Sequence, residues 1–321
     1  MISRTNRMMT ENDCLQKTLE RCVSCTGIGL HSGEKVCMRL CPAAADTGIV
    51  FRRLDLGGRD VAACLSNVAD VFYATSLKDG DVEVQTVEHL LAAFSAMGID
   101  NALVEIDDKE VPILDGSAAP LVFLIKEAGV RTLNTPRRCI VIKEPIRVEA
   151  DGKWLAIFPS DHLHISYTVD FEHPVISKQS CSFAITRDEF IRELAPARTF
   201  GFLSEIRQLM KMGLAQGGCL DNAVVVNDHR ILNPYLRFTD EFVRHKALDL
   251  LGDLALLGAP VLGHVIAHRA GHSLHTALVG AILQEQESWY EADLSNATLE
   301  TVAAQNARRS NHSWERAYLS A

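Results

Sequence analysis

The chain has 321 residues, 47% of them hydrophobic and 23% charged, which is the composition of a globular protein with enough length for two cores. Its 41 acidic residues outnumber its 32 basic residues and give a formal charge of -9 at pH 7, so nucleic acid is not expected as a partner. The N-terminus lacks the apolar run of a secretory signal, and charged residues interrupt the most apolar segment, residues 247–267. The sequence therefore predicts a cytoplasmic protein without a membrane span.

Nine cysteines raise the question of disulfides or of a zinc knuckle. Cys22 and Cys25 have the two-residue spacing of a knuckle, and Cys37 with Cys41 could complete a set of four. However, this segment has the alternating pattern of two strands around a glycine-rich turn, without a second two-residue spacing. An odd number of cysteines without a secretory signal favours buried, reduced thiols.

In chain order, residues 1–12 are polar and are expected to fray. A hairpin-like pair of strands is predicted over residues 19–40, connected by GIGLHSG at 27–33. Three glycines in seven residues allow the backbone to approach another group closely. His31 in this loop belongs either to a simple tight turn or to a binding site. Short strands are predicted over residues 49–77.

A helix is predicted next, over Gln85–Ala96, with Thr86 as its N-cap. Glu88 and His89 are adjacent and lie about 100° apart on the helix, so both can face one cavity. That arrangement suits a metal ligand beside a general base. The alternative is capping chemistry, in which the helix dipole favours Glu88 near the N-terminus.

The second half begins after a polar linker, which is predicted at residues 129–138. Strands are predicted over 139–148, 153–158 and 164–171, a helix over 186–194, and an amphipathic helix over 203–212 before a strand at 223–226. The apolar side of the amphipathic helix serves either for packing or as the lining for a long apolar ligand. That side carries Leu203, Ile206, Leu209 and Met210.

Three ionisable residues form a stripe on the predicted helix at Phe242–Leu257. His245, Asp249 and Asp253 are spaced four apart, so their side chains lie on one face. An imidazole and a carboxylate that face the same point suit a divalent metal, although a hydrogen-bonded pair would give the same pattern.

The two halves follow a similar plan: a helix with a histidine in its first turn, then a glycine and a strand. His89 has this position in the first half and His245 in the second, so the two histidines would converge if the halves face each other. Four histidines also lie between His264 and His275. Among them His272 follows a predicted strand end and a glycine, which leaves room for a substrate.

Together these residues suggest a catalytic metal site. His89, His245 and Asp249 would be three protein ligands, which leaves a fourth position for water, as in catalytic zinc sites. Glu88 would act as the base and His272 as a second acid. The implied reaction class is metal-assisted hydrolysis of an amide or ester.

The sequence resembles a known family, the UDP-3-O-acyl-N-acetylglucosamine deacetylases, which are zinc amidases of lipid A biosynthesis in Gram-negative bacteria. The resemblance covers about residues 19–286 and rests on separated motifs in a fixed order. These are GIGLHSG at 27–33, TVEHLLAA at 86–93, ILDGSAAP at 113–120, ARTFGF at 197–202, CLDNAVV at 219–225, FVRHKALDLLGDL at 242–254 and AGH at 270–272.

The resemblance implies roles for the matching residues. The substrate would be a UDP-linked acylated glucosamine that loses its N-acetyl group, and the cofactor would be Zn2+. His272 would stabilise the oxyanion and protonate the leaving amine, with Asp253 as its partner, while Thr199 would donate a hydrogen bond to the oxyanion. The remaining implied roles are Zn2+ ligands for His89, His245 and Asp249, general base for Glu88, sugar contact for Phe200, phosphate contact for Lys246, and acyl-chain contact for Leu203, Ile206 and Met210.

The resemblance also implies an α+β fold of two similar domains, each a sheet covered by a layer of helices, with the helical layers facing each other across the active site. The expected domains are residues 13–132, with a small sheet inserted at about 54–77, and residues 137–300, with a βαβ insert at about 199–226. Residues 1–12 and 301–321 would be tails, and the protein would be a monomer.

Two alternatives remain. A zinc amidase or esterase for another nucleotide sugar would be expected to lack Lys246 and the apolar insert, and both are present. A binding protein of the same fold would be expected to lose Glu88 or a metal ligand, and these are also present.

Overall fold

Short strands make up most of the first part of the chain. The structure is a computed structural model that describes residues 11–309. The helices of the first part are α1 Glu88–Met97 and α2 Ala119–Ala128. Its strands are β1 Leu15–Leu19, β2 Val23–Ile28, β3 Lys35–Pro42, β4 Ile49–Arg53, β5 Arg59–Ala62, β6 Val68–Asp70, β7 Ser76–Asp79, β8 Val82–Val84 and β9 Ala102–Ile106.

Eight of these nine strands form two sheets, and β1 pairs outside them. β2, β3, β9, β4 and β5 are neighbours in that order, and β6, β7 and β8 form a small antiparallel sheet. Along β3 and β9 buried and more exposed residues alternate, as expected for a sheet that packs one face on a core. α1 and α2 provide that covering layer.

The second part adds one large sheet and most of the helices. Its helices are α3 Arg187–Glu189, which continues as a π-turn over Phe190–Leu194, α4 Leu203–Lys211, α5 Glu241–Leu254, α6 His272–Gln284 and α7 Asn296–Arg309. Its strands are β10 Val130–Pro136, β11 Arg138–Ile142, β12 Ile146–Ala150, β13 Lys153–Phe158, β14 Leu163–Asp170, β15 Lys178–Ala184, β16 Phe200–Phe202, β17 Val224–Val226, β18 Val261–His268 and β19 Trp289–Asp293.

The seven-stranded sheet is built around β18. This strand pairs antiparallel with β13 and parallel with β14 and β11. Separately, β16 and β17 run parallel and are joined through α4, so these three elements form a βαβ unit beside the main sheet. The predicted α+β fold class is confirmed, since layers of helices pack on mainly antiparallel sheets.

α1 and α5 meet at the centre of the molecule. Leu90 and Leu91 of α1 and Leu248 and Leu251 of α5 are at most 1% exposed, and burial of each such side chain contributes about 1.5–3 kcal/mol. One continuous apolar cluster runs from the first sheet through both helices to the second sheet. The halves therefore share a core, and the domain boundary near residues 132–137 stays a prediction.

Gly252 allows this close helix contact. A Cβ atom at this position would overlap the backbone carbonyl of Glu88 in α1. A glycine in the interior of a helix costs about 1 kcal/mol relative to alanine, so a packing reason is expected for it. Here the reason is the short distance between the two helix backbones.

The segment predicted as a linker is a strand. Residues 130–136 form β10, which pairs antiparallel with β1. Its polar composition suggested a linker because the residues of β10 are mostly half-buried or exposed, although they form a strand. It is the pairing with β1, which is distant in sequence, that orders this segment.

The prediction that all cysteines are buried and reduced is wrong. Cys22 and Cys41 form a disulfide, because the antiparallel register of β2 and β3 places these residues side by side. Of the seven remaining cysteines, Cys139 is buried, whereas Cys37 and Cys219 are exposed.

At the C-terminus α7 continues to Arg309, so residues 301–309 are helical, and Val302 packs in a small apolar cluster with Cys139 and Val141. The predicted tail residues 1–10 and 310–321 lie outside the described residues. Within residues 11–309, no helix has both the length and the apolar character that crossing a membrane requires.

Candidate active site

The contact of α1 with α5 brings together His89, His245 and Asp249. Oδ1 of Asp249 lies 3.2 Å from Nε2 of His245 and 3.5 Å from Nε2 of His89. One potential ligand atom from each of the three residues lies within 4.8 Å of the other two, and all three side chains are buried. The two histidines come from different helices, as the similar plan of the two halves predicted.

The protonation of this group favours a bound cation. Nδ1 of His245 lies 3.1 Å from the carbonyl oxygen of Ala197, which can only accept, so Nδ1 carries the proton. Burial lowers the pKa of His245 to about 3, so its ring is neutral and Nε2 has a free lone pair. That lone pair faces Oδ1 of Asp249, a buried atom that has no hydrogen-bond partner within the described part of the chain.

Two lone pairs 3.2 Å apart repel each other unless a cation lies between them. Neutral imidazole and carboxylate are the nitrogen and oxygen ligands of zinc sites, and the carbonyl of Ala197 supplies the usual outer hydrogen bond of a zinc-bound histidine. The residues present therefore fit a zinc ion.

Glu88 precedes His89 at the start of α1 and is 3% exposed. Burial raises its pKa, while the nearby His272 and His89 partly oppose that rise. Oε2 of Glu88 accepts a hydrogen bond of 3.1 Å from the backbone of Thr75. Its carboxylate is therefore held in place and is a stronger base than an exposed glutamate.

His272 begins α6, and Nδ1 of this residue donates to Oδ2 of Asp253 at 2.7 Å. Burial alone would lower the pKa of His272, but the charge and hydrogen bond of Asp253 outweigh that effect and raise the pKa to about 9. Its Nε2 lies 3.8 Å from Oδ2 of Asp249. A protonated imidazole is thus present beside the group of potential metal ligands at neutral pH.

Three further residues support the hydrogen-bonded pair of His272 and Asp253, and the sequence did not predict them. Oδ1 of Asp253 accepts from the hydroxyl of Thr75 at 2.6 Å, and Oδ2 is also 2.8 Å from Nδ1 of His275. Behind His275, the hydroxyl of Tyr167 is 3.0 Å from its Nε2. The spacing of His272 and His275 on one helix was a usable signal. No sequence signal pointed to Thr75 or Tyr167.

A cavity of about 360 Å³ opens beside these residues, in and around the βαβ unit. Phe200 lies close to the proposed metal ligands, since its ring centre is 6.4 Å from that of His245, and Thr199 precedes it in the cavity lining. The cavity's contributors from the first half are Leu30, His31 and Tyr73, and of these the sequence pointed only to His31, as a residue of a possible binding site. The predicted residues that line it are Thr199, Phe200, Leu203, Ile206 and Met210.

The segment that carries Thr199 is fixed on both sides. The backbone N–H of Thr199 donates to Gly116 at 2.8 Å, and Gly116 has φ +81° and no room for a Cβ beside Asn222. On the other side Arg198 pairs with the buried Glu241 at the start of α5, at 2.8 Å. Both contacts join segments that are far apart in the sequence.

Lys246 points inward. Its Nζ is 2.8 Å from Oδ2 of Asp249 and lies 5.8 Å from the centre of the Phe200 ring. Burial would lower its pKa, but Asp249 outweighs that effect and the pKa is raised, so the ammonium stays charged. Its predicted contact with phosphate stays a prediction.

The proposed capping role of Thr86 is wrong. α1 begins at Glu88, and the Thr86 hydroxyl donates instead to Glu110 at 3.0 Å. The same buried carboxylate accepts from the backbone N–H groups of His31 and Ser32. Glu110 therefore ties the GIGLHSG loop to the segment that precedes α1.

Comparison with known proteins identifies the family. The model of the family described as UDP-3-O-acyl N-acetylglycosamine deacetylase matches residues 16–284. The chain belongs to this family. Within the deacetylase family it is 48% identical over 282 residues to the UDP-3-O-acyl-N-acetylglucosamine deacetylase of Acidithiobacillus ferrooxidans, covering 87% of this chain and 93% of that protein.

Other deacetylases are similar over the same range. The Syntrophus aciditrophicus protein of the same description is 42% identical over 295 residues, covering 91% of this chain and 93% of its own length. The Methylococcus capsulatus protein is 47% identical over 278 residues, covering 85% and 91%. The family recognised from the motifs is confirmed.

Proposed function

We propose that this protein is a zinc-dependent hydrolase that removes the N-acetyl group of UDP-3-O-(3-hydroxyacyl)-N-acetylglucosamine. The products are acetate and the free amine, and the reaction is the committed step of lipid A biosynthesis. The proposal rests on one observation: Nε2 of His245 and Oδ1 of Asp249 direct their lone pairs at each other beside His89 in a buried site. Membership of the deacetylase family supports the choice of substrate.

His89, His245 and Asp249 would hold the zinc ion. When bound, zinc lowers the pKa of a water ligand from about 15.7 to about 7 and polarises a carbonyl group. The protein residues then manage the protons. Glu88, with its raised pKa, accepts a proton from the attacking water as the water oxygen bonds to the acetyl carbon.

The negative charge that develops on the acetyl oxygen needs donors. The hydroxyl of Thr199 donates one hydrogen bond, a contact worth about 3–4 kcal/mol in comparable sites. The cation of His272 provides the second stabilising group. When the C–N bond breaks, the proton on Nε2 of His272 passes to the leaving amine, and Asp253 keeps the imidazole oriented.

The cavity would take the acyl chain. Leu203, Ile206 and Met210 provide an apolar lining, and each buried methylene contributes about 0.8 kcal/mol. Phe200 would contact the sugar, and Lys246 would reach the phosphates by exchanging its contact with Asp249. Within this proposal the protein is a cytoplasmic monomer without a nucleic-acid partner, as predicted from the sequence.

The test is acetate release from UDP-3-O-(3-hydroxyacyl)-N-acetylglucosamine by the purified chain, with bound metal quantified in the same sample. We expect about one equivalent of zinc per protein molecule, as for a single catalytic zinc site. Acetate release should stop on chelation and return when zinc is added. Bound zinc without acetate would contradict the proposed substrate and point to another acylated sugar. Acetate release that survives complete removal of metal would contradict the metal mechanism.

A further inference from the structure

Three histidines lie on or beside the face of the seven-stranded sheet that is opposite to α5 and α6. We call His162, His164 and His264 the histidine cluster. β14 and β18 run parallel, and their register places His164 beside His264. Side chains alternate between the two faces of a strand, so His164 is on the face opposite to Tyr167, which contacts His275 in the candidate active site.

The rings of the cluster surround one shallow concavity. The ring centres of His164 and His264 are 4.6 Å apart, and those of His162 and His164 are 5.7 Å apart. Together with Ser160 the three rings line a space of about 140 Å³, which is enough for a cation and several water molecules.

Hydrogen bonds restrict the tautomers of the two strand histidines. Nε2 of His164 is 2.7 Å from the hydroxyl of Ser182, Nε2 of His264 is 2.8 Å from the hydroxyl of Ser166, and the two hydroxyls are 2.8 Å apart. The three hydrogen bonds between His164 and His264 need three protons, and the two serine hydroxyls supply only two of them. At least one ring must therefore donate from Nε2, and when neutral it carries its lone pair on Nδ1.

Charge also favours metal binding over a cationic cluster. Burial, together with the neighbouring His164, lowers the pKa of His264 to about 4. Burial and the adjacent His162 likewise lower the pKa of His164. Neutral imidazole is the form that binds metals, and a hydrogen bond from the other ring nitrogen is the usual support for such a ligand.

We propose that the histidine cluster binds a divalent transition-metal cation of the zinc, nickel or copper class, separate from the active site. Imidazole ligands suit these cations, whereas magnesium and calcium prefer oxygen. His164 and His264 supply the fixed half of the site. His162 must rotate toward them, and it can do so because its side chain is 53% exposed and its hydrogen bond with Asp161 lies at the surface.

The experiment uses Ni²⁺ as the probe, added to the full chain already loaded with one equivalent of zinc. Binding is followed by paramagnetic broadening of the histidine ring signals in NMR spectra and by calorimetry. We expect the rings of His162, His164 and His264 to broaden first. His264→Ala and His162→Ala should each weaken Ni²⁺ binding by about tenfold or more.

The matched control is His268→Ala. His268 lies on the same strand and the same face as His264, but it stacks on Trp154 at the far end of the strand. It should leave Ni²⁺ binding unchanged. His162→Ala separates a loss of binding from a folding defect, since replacing an exposed loop residue does not disturb the sheet. Deacetylase activity should be unchanged in His264→Ala, His162→Ala and His268→Ala.

The second group of potential ligands in the structure, Asp253, His272 and His275, provides the competing outcome. Broadening of His272 and His275 alone, or binding that His264→Ala and His162→Ala leave unchanged, would overturn the proposal. Absence of any Ni²⁺ binding beyond the level of a His164→Ala/His264→Ala variant would overturn it as well.

Discussion

Gly252→Ala tests whether the distance between α1 and α5 determines the metal site. The added Cβ would overlap the carbonyl of Glu88, so the two helices must separate or rotate. Such overpacking costs about 1–3 kcal/mol, while alanine regains about 1 kcal/mol of helix propensity. The expected net change is a loss of up to about 2 kcal/mol in the free energy of unfolding.

The effect on zinc should exceed the effect on stability. His89 lies on α1, whereas His245 and Asp249 lie on α5, so any separation of the helices moves one ligand away from the other two. Metal–ligand distances tolerate only about 0.2 Å, and we expect zinc affinity to fall by about tenfold or more. Competition with a chromophoric chelator measures this affinity, and denaturant unfolding of the zinc-free protein measures stability.

Gly280→Ala in α6 is the matched control. Its added Cβ would make an ordinary contact of 3.6 Å with Leu65, so the helix-propensity gain of about 1 kcal/mol should remain and zinc affinity should not change. If Gly252→Ala stabilises the protein as much as Gly280→Ala and binds zinc as tightly as the wild type, the proposed role of the helix contact is refuted.

Three further predictions concern the reaction. Glu88→Gln should keep its zinc and lose about a hundredfold or more in kcat, with the exposed Glu149→Gln as the control; equal activity would remove Glu88 as the base. Because the pKa of His272 is raised to about 9, its proton is bound at pH 7 and lost as the pH rises through that value, so kcat/KM should fall above about pH 9. Asp253→Asn should move this alkaline limb to lower pH, and an unmoved limb would argue against His272 as the acid. Ile206→Trp should narrow the cavity and exclude about two methylenes of a long acyl chain. This exclusion costs about 1.6 kcal/mol, so KM for long acyl chains should rise about fifteenfold. Equal effects on short-chain and long-chain substrates would contradict the acyl-chain role of the cavity.

The residues of the candidate metal site could be found in the sequence because helices repeat in a simple way. A spacing of four residues placed His245 and Asp249 on one face, and adjacency placed Glu88 beside His89. That these two pairs meet also needed the similar plan of the halves and the family motifs. The roles assigned to them are still predictions.

What the sequence could not provide depends on contacts between distant segments. Thr75 and Tyr167 support Asp253 and His275 from a loop and a strand far away in the chain, and no local pattern marks them. The strand over residues 130–136 exists because β1 pairs with it, and the Cys22–Cys41 disulfide depends on the register of two strands. The sequence placed Lys246 near the ligands but could not show that its ammonium pairs with Asp249.

Crystal diffraction from the zinc-loaded protein at the zinc absorption edge would test the central claim most directly. We predict one strong anomalous peak between α1 and α5, at about 2.0–2.2 Å from Nε2 of His89, Nε2 of His245 and Oδ1 of Asp249. A peak at cysteine sulfur atoms, or no peak between the two helices in an active, zinc-loaded crystal, would contradict the assignment of these three residues as the metal ligands.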